Sequence, residues 1–286
     1  MASMAKYVND FKMSRMDLLI KMKEKAEWVW KETLFLHGLA PETRLASSLS
    51  DVEILTVLFY SGLMHYNPKL PFSDKRDRLI ISKGHGSISM YPILADVGFF
   101  GLDELAKISQ SDSLLGVIPD TLIPGYETIN GSLGHGLGVA CGMALALKRK
   151  GIDRRVFVLC GDGELNSGAM WEAIMLASFH CLDNLFVIVD NNKMSMLGYQ
   201  KDILGLEPLE EKFSAFKWNS DVINGHNIEK IYETLNGLLN QRNGRPSVII
   251  ADTIKARGIL QWENDELCHI RSLKAEEVKR LLKEKK

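Results

Sequence analysis

Apolar residues along the chain alternate between a helical period and solid runs. Over residues 13 to 36, Met16, Leu19, Met22, Ala26 and Val29 recur at spacings of three and four, which predicts an amphipathic helix. Ser50 and Asp51 precede VEILTVLFY, and Glu53 stands three positions after Ser50, the capping-box pattern that opens a second helix. DRLIIS (77–82) reads as a short strand, broken by the glycines of KGHGS from a helix-like segment over 87–97. An irregular stretch follows over 110–131, with Pro119, Pro124, Gly125 and Gly131. GHGLGVACGMALALKRK (134–150) predicts a helix of small residues, and AEEVKRLLKEKK a charged terminal helix. VFVLC (156–160), LFVIVD (185–190) and SVIIAD (247–252) are near-continuous apolar runs, expected of parallel strands buried on both faces. The fold class is α/β, a parallel sheet covered by helices on both sides.

Bulk properties narrow the function classes. The 286 residues are 46% hydrophobic and 25% charged, with a formal charge of −1, so nothing pulls the chain toward nucleic acid or membrane. The four cysteines, Cys141, Cys160, Cys181 and Cys268, form no CxxC pair, which speaks against a zinc site or a disulfide framework and for a reducing, cytoplasmic setting. The opening MASMAKYVNDFK is too polar for a signal peptide, and no apolar run approaches the roughly 18 residues that span a bilayer.

Candidate chemistry gathers in GDGELNSGAMWEAIMLASFHCLDNLFVIVDNN, residues 161–192. A Gly-Asp-Gly turn alone is ordinary, and so is Asn-Asn after a strand. Here one strand-helix-strand unit lies between Asp162 and Asn192, so a parallel arrangement returns both to the same sheet edge, where ligands of α/β folds collect. If the two strands are neighbours they run about 4.8 Å apart, and the two side chains can share an ion. One carboxylate and one amide oxygen are hard donors suited to magnesium or calcium, completed by phosphate oxygens. Gly161 and Gly163 let backbone N–H groups approach a diphosphate, and a helix starting near Ser167 adds its positive end.

These segments resemble those of the transketolase family of thiamine diphosphate enzymes. The likeness is carried by GDGELNSGAMWEA, DNLFVIVDNNKMSMLG, DRLIISKGHGSISMYPILADVGFF, PGYETINGSLGHGLGVACGMALA, NGHNIEKIYETL, VIIADTIKARGI and the LCHI of 267–270, in the family's order. It implies a single diphosphate-binding domain over 1–286, binding thiamine diphosphate with Mg2+. In the family the coenzyme stabilises a two-carbon fragment cleaved from a ketose (phosphate), which then adds to an aldose. By the resemblance Asp162, Asn192 and the main-chain oxygen of Met194 hold the metal, and Gly161, Gly163 and Glu164 lie against the diphosphate. Gly131, Ser132, Leu133 and Gly134 line the coenzyme. His85, His135 and His269 match polar positions around cofactor and substrate, and Glu172 matches a carboxylate of a proton network that bridges the protomers. His37, His65, His180 and His226 have no such context and read as structural.

Several positions depart from the family pattern. Counting back from Ser48-Leu49-Ser50 puts Arg44 where the family carries a histidine, and an arginine can bind a phosphate or carboxylate but cannot shuttle protons. GVIP (116–119) replaces a Gly-His-Pro, Ser167 replaces a glutamate, and the family's Trp-His-Gly reads Cys-His-Ile at 268–270. The likeness covers roughly the first half of a full transketolase, without the pyrimidine-binding domain that supplies the activating glutamate. The resemblance therefore implies a C-terminal transketolase partner chain, assembly as a two-plus-two heterotetramer, and a sugar or keto substrate. Alternatives are a carboligase with a non-standard donor or acceptor, the decarboxylating component of a 2-oxo acid dehydrogenase, and a non-catalytic scaffold. A nicotinamide-binding fold is weaker, since no GxGxxG follows an early strand.

Overall fold

The computed structural model describes residues 13–129 and 131–284. The opening residues, too polar for a signal peptide, lie outside that range. Helices α1 (Arg15–Leu39), α2 (Leu45–Leu49) and α3 (Val52–Tyr60) lead into strand β1 (Arg78–Ile81). Next come α4 (Met90–Val97), α5 (Gly136–Arg149), β2 (Val156–Gly161), α6 (Gly168–Phe179) and β3 (Leu185–Asn191). The chain continues through α7 (Gln200–Ile203), α8 (Leu209–Ala215), β4 (Asn219–Asn224), α9 (Ile228–Leu239), β5 (Ser247–Asp252) and α10 (Ala275–Glu284). These strands are all parallel, in the order β1-β2-β3-β5-β4.

Alternate residues of each central strand feed two apolar cores. Phe157, Leu159, Phe186, Ile188 and Ile249 face one, with α1, α3, α4 and α9; Val158, Cys160, Val187, Val189 and Ile250 face the other, with α5, α6 and α8. Burial of both faces is why these strands read as unbroken apolar runs rather than alternating ones. β4 escaped the sequence pattern. Its NSDVIN is an edge strand in which only Ile223 is buried, so no apolar periodicity marks it.

The expected capping box does not form. The helix starts at Val52 after Asp51, and no side chain caps it. The Ser50 hydroxyl instead donates to Asp190 Oδ2 at 2.6 Å, and Glu53 turns to His226 Nδ1 at 3.1 Å. Long-range polar partners outcompete the local pair. The 110–131 stretch is irregular as expected, and tyrosines pin it: Tyr91 Oη donates to Gly116 O at 2.8 Å and Tyr126 Oη to Ser87 O at 2.9 Å. Among the described residues no helix is long and apolar enough to cross a membrane.

Candidate active site at the carboxyl edge of the sheet

In the β2–β3 register Gly161 stands opposite Asp190, so Asp162 and Asn192 each follow their strand at the same edge. Asp162 is buried; its Oδ1 accepts from Gly163 N at 2.8 Å and its Oδ2 from Lys193 N at 2.6 Å, the latter joining the two turns directly. Burial, with the charge of Asp190 next, pushes the Asp162 carboxyl up to about 7, and a bound cation would favour its ionised form. Asn192 donates through Nδ2 to Asp190 Oδ2 at 3.2 Å and accepts at Oδ1 from Met194 N at 3.1 Å. The Met194 carbonyl accepts from Lys255 Nζ at 3.1 Å, and Ser195 O from the same ammonium at 2.8 Å. A carboxylate, an amide oxygen and a carbonyl fit a hard cation. They include one acidic group, and no cluster of three or more His, Cys, Asp or Glu suited to a metal occurs among the described residues.

Glu164 is buried and serves as a junction. Its carboxylate accepts from Ser82 Oγ, from Gly134 N at 2.8 Å and from Gly161 N at 3.3 Å. It thereby ties the end of β1, the glycine segment and the Gly-Asp-Gly turn together, with its oxygens committed to these donors. Gly134 has φ +88°, and a Cβ there would lie 2.4 Å from Ser167 Oγ, so the position requires glycine. Gly131, Ser132 and His135 are exposed at the start of α5, and Leu133 is 42% exposed. Glu172 is exposed on α6, away from the buried groups of this chain.

His85 and His269 meet edge-on, ring centroids 5.2 Å apart. Ser47 Oγ lies 3.1 Å from His269 Nδ1. Burial, then His269, Lys83, Lys255 and Arg44, push His85 down to about 3; burial, Lys255, Arg44 and Lys83 bring His269 to about 4. Both imidazoles are neutral near pH 7 and sit in a positive field. Arg44 itself is exposed at the start of α2, within charge reach of both rings. The geometry thus brings Arg44, His85 and His269 together. His135 is not among the groups acting on either ring.

Sequence reasoning passed over the groups that knit the site. Lys83, 3% exposed, donates to Asp190 Oδ2 and to Ser47 O at 2.8 Å, and pairs with Asp51 Oδ2 at 3.0 Å. Burial alone would lower Lys83, but the carboxylates of Asp190 and Asp51 hold it above its ordinary value; Asp51 is pushed up to about 7, chiefly by burial. Thr253 Oγ1 donates to Asp190 Oδ1. Lys255, also buried, lies between the metal-ligand turn and the histidines. The signal was present in KGH, VDNN and DTIKARG: charged residues abutting apolar runs must be buried with partners.

His226 is held at both nitrogens, by Glu53 and by Ile254 N at 2.8 Å, consistent with a structural turn. It lines a cavity of about 840 Å3 with Trp30, Glu53 and Arg257, and none of the candidate site residues line that cavity.

Comparison with known proteins matches this edge to a family. Residues 45–285 match the model for "Transketolase, thiamine diphosphate binding domain". One of the two apulose-4-phosphate transketolase chains of Actinobacillus succinogenes, named as a separate subunit, is 38% identical over 268 residues, covering 93% of this chain and 96% of that protein. A 6-deoxy-6-sulfo-D-fructose transketolase subunit from a Clostridium species is 36% identical, covering 84% and 86%. Human transketolase is 35% identical over 83% of this chain but 38% of its own length. The crystal structure of Campylobacter jejuni transketolase superposes with a TM-score of 0.85 at 31% identity, covering 95% of this chain and 43% of that one. The chain therefore spans less than half the length of these two transketolases. It belongs to the transketolase family and comprises that family's thiamine diphosphate-binding domain.

Proposed function

We propose that this chain is the diphosphate-binding subunit of a two-chain transketolase, transferring a two-carbon ketol unit from a ketose (phosphate) donor to an aldose acceptor. The observation that carries it is a contrast in coverage: 96% of a relative named as a separate transketolase subunit, against 38% of human transketolase. The C-terminal partner would bring the pyrimidine-binding domain and its activating glutamate. Its docking surface has a candidate in the outer faces of α5 and α6, where Val139, Met175, Leu176 and Phe179 are 43–81% exposed. Glu172 and Leu133 lie beside this apolar strip, and a two-plus-two assembly would bury them. Unpaired Cys141, Cys160 and Cys268 in the cores support a cytoplasmic setting.

Magnesium would be held by Asp162, Asn192 and the Met194 carbonyl, with Gly163 and Gly161 leaving room for the diphosphate. Thiamine diphosphate, when bound, supplies the electron sink for the two-carbon fragment. This chain's residues bind and orient. Neutral His85 and His269 can each donate or accept a hydrogen bond at a substrate hydroxyl, and the lysines beneath them supply a positive field. Gly131 to Gly134 and His135 would line the coenzyme where the partner closes over them.

Arg44 favours a second, narrower reading. Its guanidinium flanks both histidines, which suits a donor or acceptor carrying a phosphate, sulfonate or carboxylate, and a carboligase using a keto acid fits the same chemistry. Turnover of a ketose phosphate and of a simple 2-keto acid by the two-chain complex separates the two. Turnover confined to the keto acid removes the transketolase reading. A complex that binds no thiamine diphosphate leaves only the scaffold role.

A further inference from the structure

The turn that follows β3 folds back over the Gly-Asp-Gly turn. Ser195 N donates to Gly198 O and Gln200 N to Lys193 O, both at 2.9 Å, which fixes Gln200 at the start of α7. From there its side chain reaches Asn166, whose Nδ2 donates to Gln200 Oε1 at 3.0 Å. The other end of the amide, Nε2, is buried with no hydrogen-bond partner among the described residues, and so is Asn166 Oδ1. That free Nε2 lies 2.6 Å from the point a Cβ on Gly163 would occupy.

A buried amide donor left unpaired is costly, so its place beside a glycine without a side chain asks what acceptor belongs there. Gly163 is the residue whose bareness admits a diphosphate, and the cation-ligand candidates Asp162 and Met194 stand on the two turns that meet here. A phosphate oxygen satisfies the donor; among the described residues no carbonyl or carboxylate reaches it. We propose that Gln200 is a further cofactor-binding residue, donating through Nε2 to a diphosphate oxygen above Gly163, and that Asn166 is a positioning residue that fixes which end of the amide faces the phosphate. Exchanging oxygen and nitrogen in both amides would keep the Asn166–Gln200 bond but turn an acceptor toward the anion, which the ligand chemistry disfavours. The inference rests on the proposed cofactor site and adds a residue to it.

The test is the dissociation constant of thiamine diphosphate in the assembled two-chain complex with magnesium, read by tryptophan quenching, for the wild type, Gln200→Leu and Gln200→Glu. Gln200→Leu is expected to weaken binding about tenfold to a hundredfold, the range for a hydrogen bond to a charged group. Gln200→Glu should weaken it further, with the gap between the two variants closing as salt rises. Normal wild-type binding with an unchanged or tighter Gln200→Leu overturns this inference alone. So does a larger loss in Gln200→Leu than in Gln200→Glu, the order a packing role gives. A wild-type complex that binds no cofactor overturns the proposed function together with it.

Discussion

Asp190 Oδ2 accepts the side-chain amide of Asn192 at 3.2 Å while holding the ammonium of Lys83. This fixes the orientation of the Asn192 amide: its nitrogen turns to the buried carboxylate and its oxygen toward Met194 N and the mouth of the edge. A residue two positions before the candidate ligand thus decides which atom the ligand presents. Lys83, from the end of β1, and Thr253, from the end of β5, complete the hub, so three strand ends share one carboxylate.

Removing the cation from this hub should be severe. Lys83→Met leaves Asp51 and Asp190 buried without their shared partner, and breaking such a pair costs about 3–5 kcal/mol. Urea unfolding should show that loss, whereas Ser132→Ala at the exposed glycine segment should shift stability by less than about 0.5 kcal/mol. Equal midpoints for the wild type and Lys83→Met would refute the structural role assigned to the cluster.

Gly134→Ala meets two penalties, a positive φ and the Ser167 hydroxyl. A loss of about 1–3 kcal/mol is expected. The double variant Gly134→Ala/Ser167→Gly should recover the steric part and leave the backbone part, about 1 kcal/mol. No recovery in thermal unfolding of the double variant would show that Ser167 is not the obstacle.

His37 gives a pH signature. Its Nδ1 lies 2.8 Å from Thr43 Oγ1, whose proton goes to Ala40 O, and its Nε2 accepts from Leu273 N at 3.0 Å; the ring is therefore neutral with the proton on Nδ1. Burial lowers it to about 4, below the value near 6.5 of an unfolded chain. Between those values the unfolded chain binds the proton and the folded one does not. The stabilisation is whole above pH 6.5 and declines by about 1.4 kcal/mol per unit as pH falls toward 4. The advantage of the wild type over His37→Gln should be about 2 kcal/mol smaller at pH 5 than at pH 8. A difference independent of pH would mean the ring is not buried neutral.

Asp162→Ala deletes the single carboxylate of the proposed metal set. Magnesium-dependent binding of thiamine diphosphate by the two-chain complex should fall at least about a hundredfold, beyond the roughly 10- to 100-fold of an outer partner of a ligand. Because a buried carboxyl is also removed, apo stability should hold or rise. Calorimetry with and without magnesium reads both. Undiminished magnesium-dependent binding would place the cation elsewhere.

The sheet was legible because its three central strands are buried on both faces and leave solid apolar runs. β4 was not, since an edge strand with one buried residue has no pattern to show. The spacing of Asp162 and Asn192 predicted their meeting, because one crossover unit returns the chain to the same edge. Lys83, Asp190 and Lys255 stayed hidden for a different reason: their partners, Asp51, Thr253 and the Met194 carbonyl, are remote in sequence. The capping box failed on the same ground, its serine claimed by Asp190 across 140 positions.

The most direct measurement is ketol transfer during titration of a fixed amount of this chain with a separately purified transketolase C-terminal chain, with thiamine diphosphate and magnesium saturating. Activity should be absent for either chain alone and rise to a break at one partner per chain. Full thiamine-dependent turnover by this chain without a partner would contradict the two-chain enzyme.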